Sequence, residues 1–196
     1  MLELESYEEN GLFQNLDFTG EELLGVEFVD CSFENCTFED CTVRSCSFTD
    51  CNFVDCRFSN VGFEHTTMGD SIFTHCYLNG IHWNSLMFGG SYIIPIRRME
   101  ECELKYNHFL EMNLTRFVFS DNTITASLFA DCNLTGSKFL NCKLDGTEFF
   151  RCDLSRADFR KAGGYVVDLP TNKLKGARFS FPEVVNLLNG IGIIID

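Results

Sequence analysis

The sequence predicts an all-β solenoid, a chain that turns a corner every five residues and stacks its coils by β-type pairing. Three observations predict it. Every fifth residue is apolar from Phe13 to Ile93, and again from Leu104 to Phe159. A strict period of five fits neither the 3.6 of a helix nor the 2 of a flat strand. All eleven cysteines stand two residues before one of these apolar positions.

The first run is Phe13, Phe18, Leu23, Phe28, Phe33, Phe38, Val43, Phe48, Phe53, Phe58, Phe63, Met68, Phe73, Leu78, Trp83, Phe88 and Ile93, with no polar exception. Each is expected to point inward, with successive coils about 4.8 Å apart. The cysteines (Cys31, Cys36, Cys41, Cys46, Cys51, Cys56, Cys76, Cys102, Cys132, Cys142 and Cys152) mark a position that wants a small, buried side chain. Their odd number and their spacings of five and ten suit neither a disulfide ladder nor a metal site. They read as small hydrophobes.

The second run starts out of phase. Ile93 to Leu104 is eleven residues, and the bridge Ile94-Pro95-Ile96-Arg97-Arg98-Met99-Glu100-Glu101 holds a proline and a basic pair. One residue in excess implies a bulge or small loop, either a tolerated insertion or a recognition element using Pro95, Arg97 and Arg98. The second run is Leu104, Phe109, Leu114, Phe119, Ile124, Phe129, Leu134, Phe139, Leu144, Phe149, Leu154 and Phe159.

The pattern lapses at Gly163-Gly164 and is expected back in phase at Leu169, Leu174 and Phe179. Ser180-Phe181-Pro182-Glu183 reads as a capping box, with Glu183 reaching the Ser180 amide. Val184, Val185, Leu187 and Leu188 form the apolar face of a short helix, Asn189-Gly190 stops it, and Ile191 to Ile195 reads as a strand. The expected organisation is a solenoid over residues 1–180, interrupted near 94–103, then a helix and strand over 181–196. The apolar tail, Phe181, Val184, Leu187, Leu188, Ile191, Ile193 and Ile195, reads as a dimer interface that also caps the open coil.

Stretches such as Cys31-Ser32-Phe33-Glu34-Asn35, Cys51-Asn52-Phe53-Val54-Asp55, Cys132-Asn133-Leu134-Thr135-Gly136 and Ala157-Asp158-Phe159-Arg160-Lys161 resemble the A(D/N)LXX unit of pentapeptide-repeat proteins. The resemblance covers residues 11–162. It implies a right-handed quadrilateral β-helix of around eight coils, four units to the coil, with Leu stacks and Phe stacks on alternate faces of the second run. The segment Lys173-Leu174-Lys175-Gly176-Ala177-Arg178-Phe179-Ser180, the Pro182 helix and the mid-chain break are similar to the topoisomerase-protection branch (Qnr, MfpA, McbG and AlbG). That resemblance implies dimers joined at their C-termini that act on DNA gyrase and topoisomerase IV. The period runs unbroken from Phe13 to Ile93, without the early loop of Qnr proteins from Gram-negative bacteria.

The net charge is −14, and residues 1–96 carry all of it, with sixteen acids against Arg44 and Arg57. Residues 97–196 balance thirteen acids with thirteen bases. Such a field repels nucleic acid and membranes and attracts basic surfaces, and it also serves solubility. Asp30, Asp50 and Asp70 share the last place of their pentapeptides and lie twenty residues apart. They are expected to stack as a carboxylate ladder, with Glu34, Glu39, Asp40 and Asp55 adding to an acidic partner-binding surface. The plain alternative is corner chemistry, since Asp, Asn and Gly tolerate turn dihedrals.

His65, His75, His82 and His108 lack metal-ligand spacing, and no phosphate loop, nucleophile elbow or zinc signature is present. No catalytic residue, metal or cofactor is expected. The acidic start lacks the features of a signal peptide, and no run is long enough for a membrane helix, so a cytoplasmic protein is expected. The leading functional expectation is a homodimer that binds gyrase or topoisomerase IV without direct nucleic-acid contact, by DNA mimicry or by the loop. The other is a structural or adaptor module with an unrelated partner.

Overall fold

The computed structural model describes residues 5–86 and 96–191. The chain divides into two compact units, residues 1–103 and 104–196.

In the first unit three-residue strands recur every five residues, among them Ser32–Glu34, Thr37–Glu39, Thr42–Arg44 and Ser47–Thr49. Each has its middle residue buried, because in a strand this short only the central side chain faces in. Each pairs in parallel with the strand twenty residues on: Phe13 with Phe33, Phe33 with Phe53, Phe53 with Phe73. One coil is therefore four sides and twenty residues. Stacked rings repeat at this rise, with centroids 5.0 Å apart for Phe33 and Phe53 and 4.8 Å for Phe53 and Phe73. Rings on adjacent sides meet edge to face, as their quadrupoles prefer.

The chain turns each corner with one residue in the left-handed region. From Asn10 to Gly80 this falls on every fifth position given a positive φ, Asp30 (φ 51°), Asp50 (φ 53°) and Asp70 (φ 50°) included. The corner amide then donates to the coil above, as Asp30 N does to Thr49 O at 3.0 Å.

The cysteine position does more than accept a small side chain. Cys56 Sγ donates to Phe33 O and to Val54 O, both at 3.3 Å, and Cys76 and Cys132 make the corresponding bonds. At three places where Thr or Asn replaces cysteine, the donor takes the same acceptor twenty-three residues back. Thr66 Oγ1 reaches Val43 O at 2.8 Å, Thr147 Oγ1 reaches Ile124 O at 2.8 Å, and Asn172 Nδ2 reaches Phe149 O at 2.7 Å. Cys, Thr and Asn interchange here because each can satisfy a buried carbonyl.

The phase shift has a definite place. Phe73 pairs with Met99, twenty-six residues on instead of twenty. Ser71 faces Ile96 and Ile72 faces Arg98, so Arg97 is the bulged residue of the strand Ile96–Glu100. Met99, not a continuation of the first run, is the core residue of this side. Ile93 and Pro95 lie outside the described residues.

In the second unit Phe109, Phe129 and Phe149 stack on one side, and Phe119, Phe139, Phe159 and Phe179 on another. Leu114, Leu134 and Leu154 and then Ile124 and Leu144 fill the alternate sides, as the repeat pattern implies. One position departs from the sequence expectation. Val167, not Leu169, sits under Phe149, two residues early. Gly164 lies at φ 78°, and a Cβ there would fall 2.7 Å from the Asp145 backbone, so only glycine lets the chain cut this corner. A loop closed by Thr171 N and Asn172 N on Asp168 O takes up the two residues, and Phe179 returns to register with Phe159.

The C-terminal segment is a 3-10 helical run, Glu183–Ile191. It continues through Asn189-Gly190 to Ile191, so Ile191 ends a helical run and does not open a strand. Ile193 and Ile195 lie outside the described residues. The capping box does not form. Ser180 Oγ accepts from Lys161 N at 3.1 Å in place of the Glu183 amide, while Ser180 O accepts from Val184 N. Glu183 instead accepts from Asn186 Nδ2 at 3.0 Å.

Candidate functional site

The candidate acidic residues are distributed over three corners of the first unit. Asp30, Asp50 and Asp70 form one column, a single carboxylate per coil, with Asp30 and Asp50 exposed and Asp70 half-buried. Among the described residues none of the three has a cation within ion-pair distance. The two bases of residues 1–96 are already engaged. Arg44 bridges Glu22 (3.2 Å) and Glu64 (2.9 Å), and Arg57 lies over the Tyr77 ring at 4.4 Å.

A second corner holds Asn15, Asn35, Asp55 and His75. Asn35 Nδ2 donates to Asn15 Oδ1 at 2.7 Å, and His75 stands 3.6 Å from both Asp55 and Glu101. Glu34, beside this corner, accepts from Gln14 Nε2 at 2.7 Å. The third corner carries Asp40, which accepts from Asn60 Nδ2 at 3.1 Å, next to Glu39 on the strand Thr37–Glu39. Glu34, Asp40 and Asp55 thus spend part of their charge on neighbours, and the three corners do not share a face. The uncompensated column is the one through Asp50.

The bridge residues Arg97 and Arg98 are exposed, and Arg98 pairs with Glu100 at 3.1 Å. At the C-terminal end Phe181 is 82% exposed and Ile191 46%, whereas Val184, Leu187 and Leu188 are half-buried. The helical run lies against Val166–Val167. Tyr165 beneath it is buried, its hydroxyl has no hydrogen-bond partner, and burial, with Glu183 nearby, pushes its pKa up to about 12.

Cys41, Cys51 and Cys142 are not set up as reactive-site thiols. Burial pushes Cys41 up to about 11 and both Cys51 and Cys142 up to about 12, which keeps them protonated near neutrality. Among the described residues no group of three His, Cys, Asp or Glu side chains is placed to hold a metal ion. No helix among them is long and apolar enough to cross a membrane.

The fold matches that of QnrB1, a plasmid-mediated fluoroquinolone resistance protein, at TM-score 0.57 and 16% identity over 95% of this chain and 100% of that one. A trypsin-treated form of QnrB1 matches at TM-score 0.56 and 18% identity, over 97% of each chain. HetL, a pentapeptide-repeat protein involved in heterocyst differentiation regulation in the cyanobacterium Nostoc sp. strain PCC 7120, matches at TM-score 0.49 and 14% identity, over 88% of this chain and 86% of that one. No curated protein matches the sequence. The family model of the pentapeptide repeat region matches residues 26–93, and that of pentapeptide repeats in eight copies matches residues 127–162. With coils of twenty residues, a corner every five and both models matched, the chain belongs to the pentapeptide-repeat family.

Proposed function

We propose that this protein binds the positively charged DNA groove of a type II topoisomerase, DNA gyrase or topoisomerase IV, and protects the enzyme from an antibiotic or peptide toxin. The observation that carries this reading is the column Asp30, Asp50 and Asp70, three unpaired carboxylates at the coil repeat in the part of the chain that carries the net charge. A column of this kind offers a basic groove a line of negative charge. The likeness of fold to QnrB1, a resistance protein, supports the same direction.

The test replaces all three aspartates with asparagine, which keeps the left-handed corner preference and removes only charge. Affinity for gyrase is expected to fall about tenfold at low salt and by less at high salt. Protection in a supercoiling assay with a gyrase poison should fall in parallel. A folded triple variant that binds and protects like the parent would reduce the column to corner chemistry and overturn the reading.

The exposed Phe181 and Ile191 support pairing of two copies through the C-terminal segment. Leu188→Arg should yield monomers by light scattering at about 1 M salt, where charge contacts are screened within about 3 Å. A parent chain that is monomeric under the same conditions would exclude this pairing.

A further inference from the structure

The second unit carries a feature with no part in that reading, a line of cations along one edge. The corner column there runs Arg116, Gly136, Arg156, Gly176. Beside it stand Lys138, two residues past Gly136, and Lys175, one residue before Gly176. Arg116, Lys138, Arg156 and Lys175 are exposed and come from four successive coils, and Arg178, exposed and paired in the ladder with Asp158, stands beside the last of them. Among the described residues none of the four lies within ion-pair distance of a carboxylate.

The acids nearby are already spoken for. Asp153 accepts from the Ser155 amide at 3.0 Å and lies 3.5 Å from Lys173, while Asp158 is held in a forked pair by Arg160. Two details describe how the line is held. Arg116 (φ 60°) and Arg156 (φ 59°) occupy left-handed corners, where a long side chain costs about 1–2 kcal/mol and Gly, Asn or Asp would not. The alternate corners are glycine, and a Cβ at Gly136 or Gly176 would stand 3.6 Å from Cγ of the arginine one coil before. Each arginine stem therefore lies over the glycine of the following coil.

We infer that this cation line docks the carboxylate column of a second copy of the chain. The spacing argues for that occupant. Ring stacks rise by 4.7–4.8 Å per coil through Phe119, Phe139 and Phe159 in the second unit. The rise is 4.8–5.0 Å through Phe33, Phe53 and Phe73 in the first. A line with a cation in every coil and a column of one carboxylate per coil, Asp30, Asp50 and Asp70, thus share a repeat. The phosphates of one DNA strand advance about 3.4 Å along the axis, and they fall out of step with the line within a few residues. The contact joins two different patches, so it is heterologous: a docked pair leaves one line and one column free. It differs in kind from two-fold pairing through the C-terminal segment, and it needs no topoisomerase.

The experiment is sedimentation velocity on the full chain with no other protein present, from high to low salt. The mass at high salt is the baseline, and the increment on lowering salt is the readout, because exposed charge contacts strengthen as screening falls. The wild type should self-associate at low salt. Variant one, R116Q/R156Q/K175Q, and variant two, D30N/D50N/D70N, should each lose the increment, with association at least about tenfold weaker. Mixed together, they should pair through the intact column of the first and the intact line of the second, and go no further. No salt-dependent increment in the wild type, an undiminished increment in either variant, or a mixture that does not pair would each overturn the proposal. So would a wild type that does not self-associate but binds a labelled DNA duplex through the line, since the ligand would then be a phosphate backbone.

Discussion

Phe53→Ala is the sharpest test of the coil packing. Phe53 is 1% exposed, and five rings surround it. Phe33 and Phe73 stack on its two faces at 5.0 and 4.8 Å, and Phe38, Phe48 and Phe58 meet it from adjacent sides at 6.4, 5.8 and 5.4 Å. Truncating a buried Phe to Ala costs roughly 3–5 kcal/mol, and the value depends on how far the surroundings close the cavity. Here they cannot close far. The parallel ladders that pair Phe33, Phe53 and Phe73 fix the distance between coils, so the loss belongs near the upper end, about 5 kcal/mol. For a chain of this size that lowers the melting temperature by roughly 10–20 °C. Thermal unfolding followed by circular dichroism reads it directly, and Phe53→Leu, which keeps most of the volume, should lose less than half as much. If Phe53→Ala melts within about 3 °C of the wild type, the side chain is not held between rigid coils and the packing argument fails.

Three further outcomes follow from the buried polar groups. The eleven cysteines should resist a thiol reagent at neutral pH in the folded chain and all react in denaturant, and rapid labelling of the native protein would contradict the burial. Burial raises Cys41 to about 11 and Cys51 and Cys142 to about 12. Above about pH 9 the unfolded chain therefore releases thiol protons that the folded chain retains, and stability should fall as pH rises toward 11 or 12. Stability that stays level over this window would show that the thiols ionise equally in both states. Tyr165→Phe removes a buried hydroxyl that has no partner, so denaturant unfolding should show unchanged or increased stability, by up to about 1 kcal/mol. A clear loss would mean that the hydroxyl is bonded in solution.

Much of this fold is legible in the sequence because the period of five states which side chain faces in and where each side ends. The coil length, the Phe and Leu stacks and the stacking of Asp30, Asp50 and Asp70 all follow from it. What the period could not show lies where the backbone departs from it. The bulge at Arg97 is set by the pairing of Ile72 with Arg98, and the early return at Val167 by the clearance around Gly164; neither is a property of one pentapeptide. The cysteines were legible as small and buried but not as donors, because the carbonyls they satisfy come from another coil, twenty-three residues back for Cys56, Cys76 and Cys132 and twenty-nine for Cys102. The occurrence of Thr66, Thr147 and Asn172 at equivalent places was the available signal. The candidate acids were legible one by one, but their separation over three corners was not. Neighbours such as Asn60 and Gln14 decide which carboxylates keep their charge free. Ser180 and Glu183 had the letters of a capping box, yet the solenoid's last ladder bond claimed the serine first.

The left-handed corners also bear on how such a surface evolves. Nine of the twelve non-glycine corners from Asn10 to His75 are Asn or Asp, the residues that accept this conformation most readily. These two differ by one functional group and have nearly the same shape. A corner can therefore gain or shed a negative charge by a single substitution that the backbone barely registers. A positive charge is harder to place there, since lysine and arginine have no comparable preference. The scaffold thus drifts easily toward acidity, and a lineage under selection to meet a basic partner finds most of the needed steps already neutral for folding.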